Sequence, residues 1–268
     1  MNPFVHTLIS PHGFELIPSL DTAKRPGIQR LRSALEKQGK RMTAAKPDLL
    51  VVLTPHGLRT TRYTTVTTST WVRGLAEYDG EEASMECPVA QSFAVGYVEA
   101  AEAAGLPLLG VQFATAAGPL SVLPLDWGSM VPLWFMPDVP VVIITPARNL
   151  DKASYIRCGE LLAEWTVRQK KRVGLIASCD WAHTHHEGGP YGFAKEAVEL
   201  DQKVRDVLMR GEWEEMADWD SSFVEAAKPD GIPQILMLAG AVSKADRKII
   251  ECEYECPTYF GMLVAGLA

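Results

Sequence analysis

The chain has 268 residues, 47% of them hydrophobic and 22% charged, a balance that lets it bury a sizeable core and fold as a globular unit. Its formal net charge of −7 argues against an affinity built on phosphate-backbone contacts, so nucleic acid is not an expected partner. The five cysteines (Cys87, Cys158, Cys179, Cys252 and Cys256) are an odd number in a chain that is not Cys-dense, which points to reduced thiols and a cytoplasmic address rather than a disulfide framework. The pair Cys252-x3-Cys256 lacks the two further ligands of a structural zinc site.

The opening segment MNPFVHTLISPHGFELIP has neither a basic leader nor a long apolar stretch, so no signal peptide is expected. No apolar run approaches the ~20 residues of a membrane-spanning helix, and no membrane partner is expected. In chain order, Phe4–Ile9, Leu49–Leu53, Leu108–Val111, Val139–Ile144 and Val173–Ala177 are short runs of Val, Ile and Leu with little alternation. That pattern belongs to strands covered on both faces. Thr60–Val72, rich in Thr, Tyr and Val, reads as an edge strand or hairpin.

Helical spacing falls on Ile28–Lys40, Val89–Ala104 (with Gly105 as its C-cap), Lys152–Gln169, Phe193–Arg210 and the late apolar Ile232–Val242. Strands alternating with helices predict an α/β sandwich: a mixed, mostly parallel central sheet with helices on both faces. With no repeat and no shift in composition, residues 1–268 read as one domain.

The six histidines carry the functional signal. Ser10-Pro11-His12-Gly13 follows the first apolar run and Thr54-Pro55-His56-Gly57 follows the second. In each, proline should end the strand and glycine should permit a sharp turn, leaving an imidazole just beyond the carboxyl end of a strand, where open α/β sheets bind ligands. The run ending at Ala177 leads into Ser178-Cys179-Asp180-Trp181-Ala182-His183-Thr184-His185-His186 and then the loop Gly188–Gly192. Three strand ends thus deliver histidine. Two imidazoles and one carboxylate with open positions form the ligand set of non-haem Fe(II) oxygenases, and zinc accepts the same donors. His6, inside a strand, reads as structural, and His186 as exposed.

Taken together, His12, His56, the Asp180-x-x-His183 block and the closing Gly240-Ala241 helix resemble the B-subunit type of class III extradiol ring-cleaving dioxygenase, the group of protocatechuate 4,5-dioxygenase and 2-aminophenol 1,6-dioxygenase, whose fold Memo-type proteins share. The resemblance spans nearly the whole chain. It implies that His12 and His56 bind iron and that a carboxylate near the start of the late helix completes the set. Asp230 occupies that region, where the enzymes usually have Glu; Glu225 is the fallback. It further implies that His183 is the acid–base histidine, with His185 able to share the task. Where many relatives have Asp-His-Gly, this chain has Asp126-Trp127-Gly128. Asp126 also reads as a helix cap.

Trp127 and Tyr191 are the candidate substrate-binding aromatics, with Phe14 and Trp181 as further pocket candidates. The implied cofactor is Fe(II), and the implied partners are a catechol- or 2-aminophenol-type aromatic and O2, with a homodimer or a small α subunit as possible assemblies. Three other readings compete: a zinc hydrolase on the same ligands, a non-enzymatic Memo-like binding protein, and an enzyme with Cys179 as nucleophile.

Overall fold

The computed structural model describes residues 2–268. The first half of the chain runs β1 (Phe4–Ser10), α1 (Pro26–Ala44), β2 (Leu49–Leu53), β3 (Thr64–Thr67), β4 (Trp71–Tyr78), β5 (Glu81–Pro88), α2 (Gln91–Ala103), β6 (Leu108–Val111), β7 (Val122–Pro124) and α3 (Trp127–Leu133). The second half runs β8 (Val141–Thr145), α4 (Lys152–Gln169), β9 (Val173–Ser178), α5 (Glu196–Arg210), α6 (Ser221–Ala227), α7 (Ile232–Ala241), β10 (Ile249–Glu255) and β11 (Met262–Leu267).

Eight strands form one mixed sheet in the order β10-β11-β1-β9-β2-β8-β3-β6. The pairings β1–β9, β9–β2, β2–β8 and β3–β6 are parallel, and the other three are antiparallel. Both faces are covered, which is why the central strands read as unbroken apolar runs. In β2, Leu49, Val51 and Leu53 pack among residues of α2, α4, α5 and α7, while Leu50 and Val52 turn to α1, α3 and the β4–β5 hairpin. The expected α/β sandwich with helices on both faces is therefore what the chain builds. No helix among the described residues is long and apolar enough to cross a membrane.

Two expectations need correcting. The segment Thr60–Val72 contains no edge strand: β3 lies inside the sheet between β8 and β6, with all four residues buried. Trp71 instead begins β4, which pairs with β5 in a separate three-stranded sheet. The turn between them is Asp79-Gly80, both at positive φ, as a two-residue hairpin loop requires. The helix expected from Phe193 starts at Glu196, because Phe193 is bridged to His185 and Ala194 donates its N–H to the Thr184 carbonyl.

One consequence of the topology matters for function. Strands β1, β9 and β2 are adjacent and parallel, so their carboxyl ends open on one edge of the sheet. The segments that follow them carry His12, Asp180 and His56.

Candidate metal centre

The strand-end residues converge. His12 Nε2 stands 3.1 Å from His56 Nε2 and 3.2 Å from Asp230 Oδ2, and His56 Nε2 lies 3.4 Å from the same carboxylate oxygen. Two donors about 2.1 Å from a common ion stand about 3.0 Å apart at a right angle and about 3.4 Å apart at the tetrahedral angle. The spacing of the three atoms therefore fits a single divalent cation, and these are the residues of the described chain that could hold one.

Asp230 arrives from the far side, on the turn ahead of α7. It is locked to the end of β9 in two ways: its N–H donates to the Asp180 carbonyl (3.2 Å), and its Oδ1 accepts the Asp180 N–H (2.8 Å). Asp230 does not cap α7: the residue before that helix is Gly231, and no side chain caps it.

The orientation of His12 is set by a relay. The Ser178 hydroxyl donates to the Gly128 carbonyl, so its oxygen accepts from His12 Nδ1–H at 3.0 Å. Nε2 is thereby left to face the other two donors, the orientation a metal requires once the Nε2 proton is displaced. Replacing Ser178 by alanine is expected to weaken metal binding by about 10- to 100-fold with the fold intact, read by competition with a chromophoric chelator.

His56 is held differently. Its N–H takes the Thr54 hydroxyl as acceptor (3.2 Å), and Thr54 in turn donates to Asp126 (2.5 Å), which caps α3 through Ser129. The indole of Trp127 stacks on the His56 ring at 4.2 Å, while His56 Nδ1 finds no hydrogen-bond partner among the described residues. The glycine after His56 serves by its missing side chain, not by an unusual backbone: a Cβ on Gly57 would lie 2.2 Å from Thr145 Oγ1.

The electrostatics show a site short of positive charge. Burial opposes a charge on His12, but Asp180 and Asp230 outweigh it and push the imidazolium up to about 9. Burial raises Asp180 to about 6 against the pull of His12. Asp230, despite burial, is held below the usual carboxylate range by His12 and His56, while burial lowers His56. At neutral pH a proton on His12 balances the carboxylates, and a divalent cation would take its place.

His183 sits beside this cluster. Its Nδ1–H donates to the Lys228 carbonyl at 2.8 Å, leaving Nε2 as an acceptor 4.0 Å from Asp230 Oδ2. The Phe260 ring stacks on it at 5.2 Å, and Tyr191 meets it edge-on at 6.0 Å. Together these residues line a cavity of ≈ 160 Å³, about the size that admits one aromatic ring. Phe14, Tyr78 and Trp127 form one wall, and Tyr191, Tyr259 and Phe260 form the other.

The structure does not bring every expected residue to this cavity. His185 is turned away, with Nε2 2.7 Å from Asp201 Oδ2, so it does not share the site with His183. Glu225 is exposed and paired with Lys228, which removes it as a fallback ligand. Trp181 is fully buried in the core and lines no part of the cavity. The Cys179 thiol is buried against the Gly231 carbonyl, and burial pushes it well above its ordinary value, so it is no nucleophile. His6 is a structural histidine bonded to Gln38.

The site also contains residues that the sequence reading passed over. Ser178 was visible only as a strand end. Glu15 and Tyr78 come from a short turn and from the unrecognised hairpin. Tyr259 and Phe260 come from the loop between β10 and β11, tied to the β9 segment by Trp181 N–H to the Gly261 carbonyl and Gly261 N–H to the Ala182 carbonyl.

His185 and Asp201 have a structural task. Asp201, 3% exposed, accepts from Tyr254 OH (2.6 Å) and from the Ala182 N–H (2.9 Å) as well as from His185, so it joins α5, β10 and the loop that carries His183. Burial would lower His185, but Asp201 and the nearby Cys256 sulfur outweigh it and raise it to about 9. Because the folded value lies above the unfolded 6.5, this stabilisation is complete below pH 6.5 and is lost as pH rises through about 9. Asp201→Ala is expected to destabilise by about 3–5 kcal/mol and to flatten that pH dependence, both measurable by urea denaturation between pH 6 and pH 10.

A model of the catalytic LigB subunit of aromatic ring-opening dioxygenase matches residues 6–266. The chain belongs to this family. Membership accords with the resemblance carried by the histidine segments and with a centre able to hold a metal.

Protein CA_C1420 of Clostridium acetobutylicum is 24% identical over 238 residues, which cover 87% of this chain and 50% of that protein. The chain thus spans about half the length of that curated relative. The crystal structure of uncharacterized protein JW3007 from Escherichia coli K12 superposes with a TM-score of 0.60 at 20% identity, covering 98% of this chain and 99% of the other. At that identity the likeness shows a common fold.

Proposed function

We propose that this LigB-family chain is an extradiol-type dioxygenase that binds Fe(II) through His12, His56 and Asp230 and opens a catechol- or 2-aminophenol-type ring with O2. The observation that carries the reading is the convergence of two imidazole nitrogens and one carboxylate oxygen at 3.1–3.4 Å beneath a cavity walled by aromatic side chains. When bound, the metal supplies open coordination positions where two adjacent heteroatoms of the ring and O2 can meet.

The remaining work falls to side chains of this chain. His183 Nε2, the acceptor of the neutral ring because Nδ1–H is committed to Lys228, takes the proton of a ring hydroxyl and holds it for return as the ring opens. The two aromatic walls orient the ring and keep water off it. Trp127 stands where many relatives have histidine, and its stacking on His56 makes it a wall and a brace, with no proton to exchange.

The test is oxygen uptake by protein purified without oxygen and reconstituted with Fe(II), using a panel of catechols and 2-aminophenols. Uptake with a new yellow product, absent after reconstitution with Zn(II), is the expected result. Hydrolytic activity with zinc and no uptake with iron would sink the reading.

A further inference from the structure

Glu15 is 4% exposed, yet it lines the cavity. It sits in the short helical turn Phe14–Leu16 directly after His12-Gly13, and Arg32 pins that turn by donating to the carbonyls of Glu15 (2.8 Å) and Leu16 (3.0 Å). Both contacts of its carboxylate fall on one oxygen: Tyr78 OH donates to Oε1 at 2.7 Å, and Arg25 Nη1 lies 3.7 Å from the same atom. Burial and the Glu15 carboxylate raise the Tyr78 phenol to about 12, so Tyr78 remains a donor. Among the described residues Oε2 accepts no hydrogen bond.

The surroundings point to the charge of that ligand. Six aromatic rings line the cavity, and neither lysine nor arginine does. Phe14 links the two ends: its ring lies 6.0 Å from Trp127, which stacks on His56, and 5.8 Å from Tyr78, which reaches Glu15. Phe14 therefore lines the stretch of cavity wall between the metal ligands and Glu15. Aromatic faces with a buried carboxylate recognise an ammonium group, while a carboxylate substituent there would meet like charge, because Arg25, which pairs with Glu15, does not line the cavity.

We propose that Glu15 is a specificity residue that selects ring substrates bearing a cationic amino side chain and disfavours carboxylated rings. The inference rests on the ring-cleavage reading for the word substrate, but the binding preference is separable from turnover.

The test is calorimetric titration of the ferrous-loaded full chain, without oxygen, with three ligands matched in size: 3,4-dihydroxyphenethylamine, 4-ethylcatechol and 3,4-dihydroxyphenylacetate. The amine is expected to bind at least about ten-fold tighter than the ethyl compound, and the carboxylate weakest. Glu15→Gln should bring the amine and ethyl affinities together. Should that variant not fold, the wild-type ranking still decides. Equal affinities for amine and ethyl compound, or tightest binding of the carboxylate, overturn the assignment. Admitting air to the same samples separates the two ideas. The expected ranking without oxygen uptake sinks ring cleavage and leaves the Glu15 assignment standing, whereas uptake with equal affinities sinks the assignment alone.

Discussion

Replacing His183 by glutamine is expected to lower turnover by about 10² to 10⁴ while leaving the metal content unchanged. The size of the loss is that of a positioned general acid–base group, and the geometry gives His183 that position without making it a ligand. Its Nε2 is 4.0 Å from Asp230 Oδ2, farther than either His12 or His56 Nε2, and its other nitrogen is fixed to the Lys228 carbonyl. A glutamine keeps bulk against Phe260 and can still bond Lys228, but it cannot take up a proton. Steady-state rates and iron per chain, measured on the same preparation, check this. Undiminished turnover would remove His183 from the reaction, and lost iron would make it a ligand instead.

Asp230→Ala is expected to reduce Fe(II) affinity by more than about a hundred-fold, beyond the cost of losing an outer partner, because it removes the one carboxylate that faces both imidazoles. The same change also cuts the bond from the Asp180 N–H that ties the turn before α7 to the end of β9. Asp230→Asn separates the two effects. The amide oxygen can still accept from Asp180, so the turn should stay in place while the charge is gone. Thermal melting of the apoprotein should then show Asp230→Asn folded, and chelator competition should show its metal affinity still strongly reduced. Normal iron binding by either variant would assign the third ligand elsewhere.

Much of this site was legible because it is built at strand ends. The unbroken apolar runs of β1, β2 and β9 announce strands covered on both faces, and a proline-histidine-glycine unit follows two of them. What the runs do not encode is order in the sheet. That β9 lies between β1 and β2, so that the three ends become neighbours, follows from pairing between strands far apart in sequence. Asp230 was found by resemblance; its position depends on a backbone lock with Asp180, fifty residues away.

The missed elements share a physical reason. In β4 the inward positions are Val72, Gly74 and Ala76, too small to give a strong alternation, although Asp79-Gly80 is a hairpin signal in plain view. In β10 the acidic residues face Lys37, Arg30 and Arg41 of α1 rather than water alone, which masks a strand as a charged stretch. With β10 and β11 unrecognised, Tyr259 and Phe260 could not be placed at the cavity. His185 misled for the opposite reason: its neighbour two residues back serves the site, while its own side chain is held by Asp201 in the interior.

The central claim is that one metal ion sits among His12, His56 and Asp230. Diffraction from crystals of the ferrous-loaded chain at the iron absorption edge tests it most directly. A single anomalous peak about 2.1 Å from His12 Nε2, His56 Nε2 and an Asp230 carboxylate oxygen is the result expected. Iron bound at other residues, or no ordered iron in a chain whose three side chains remain together, would contradict it.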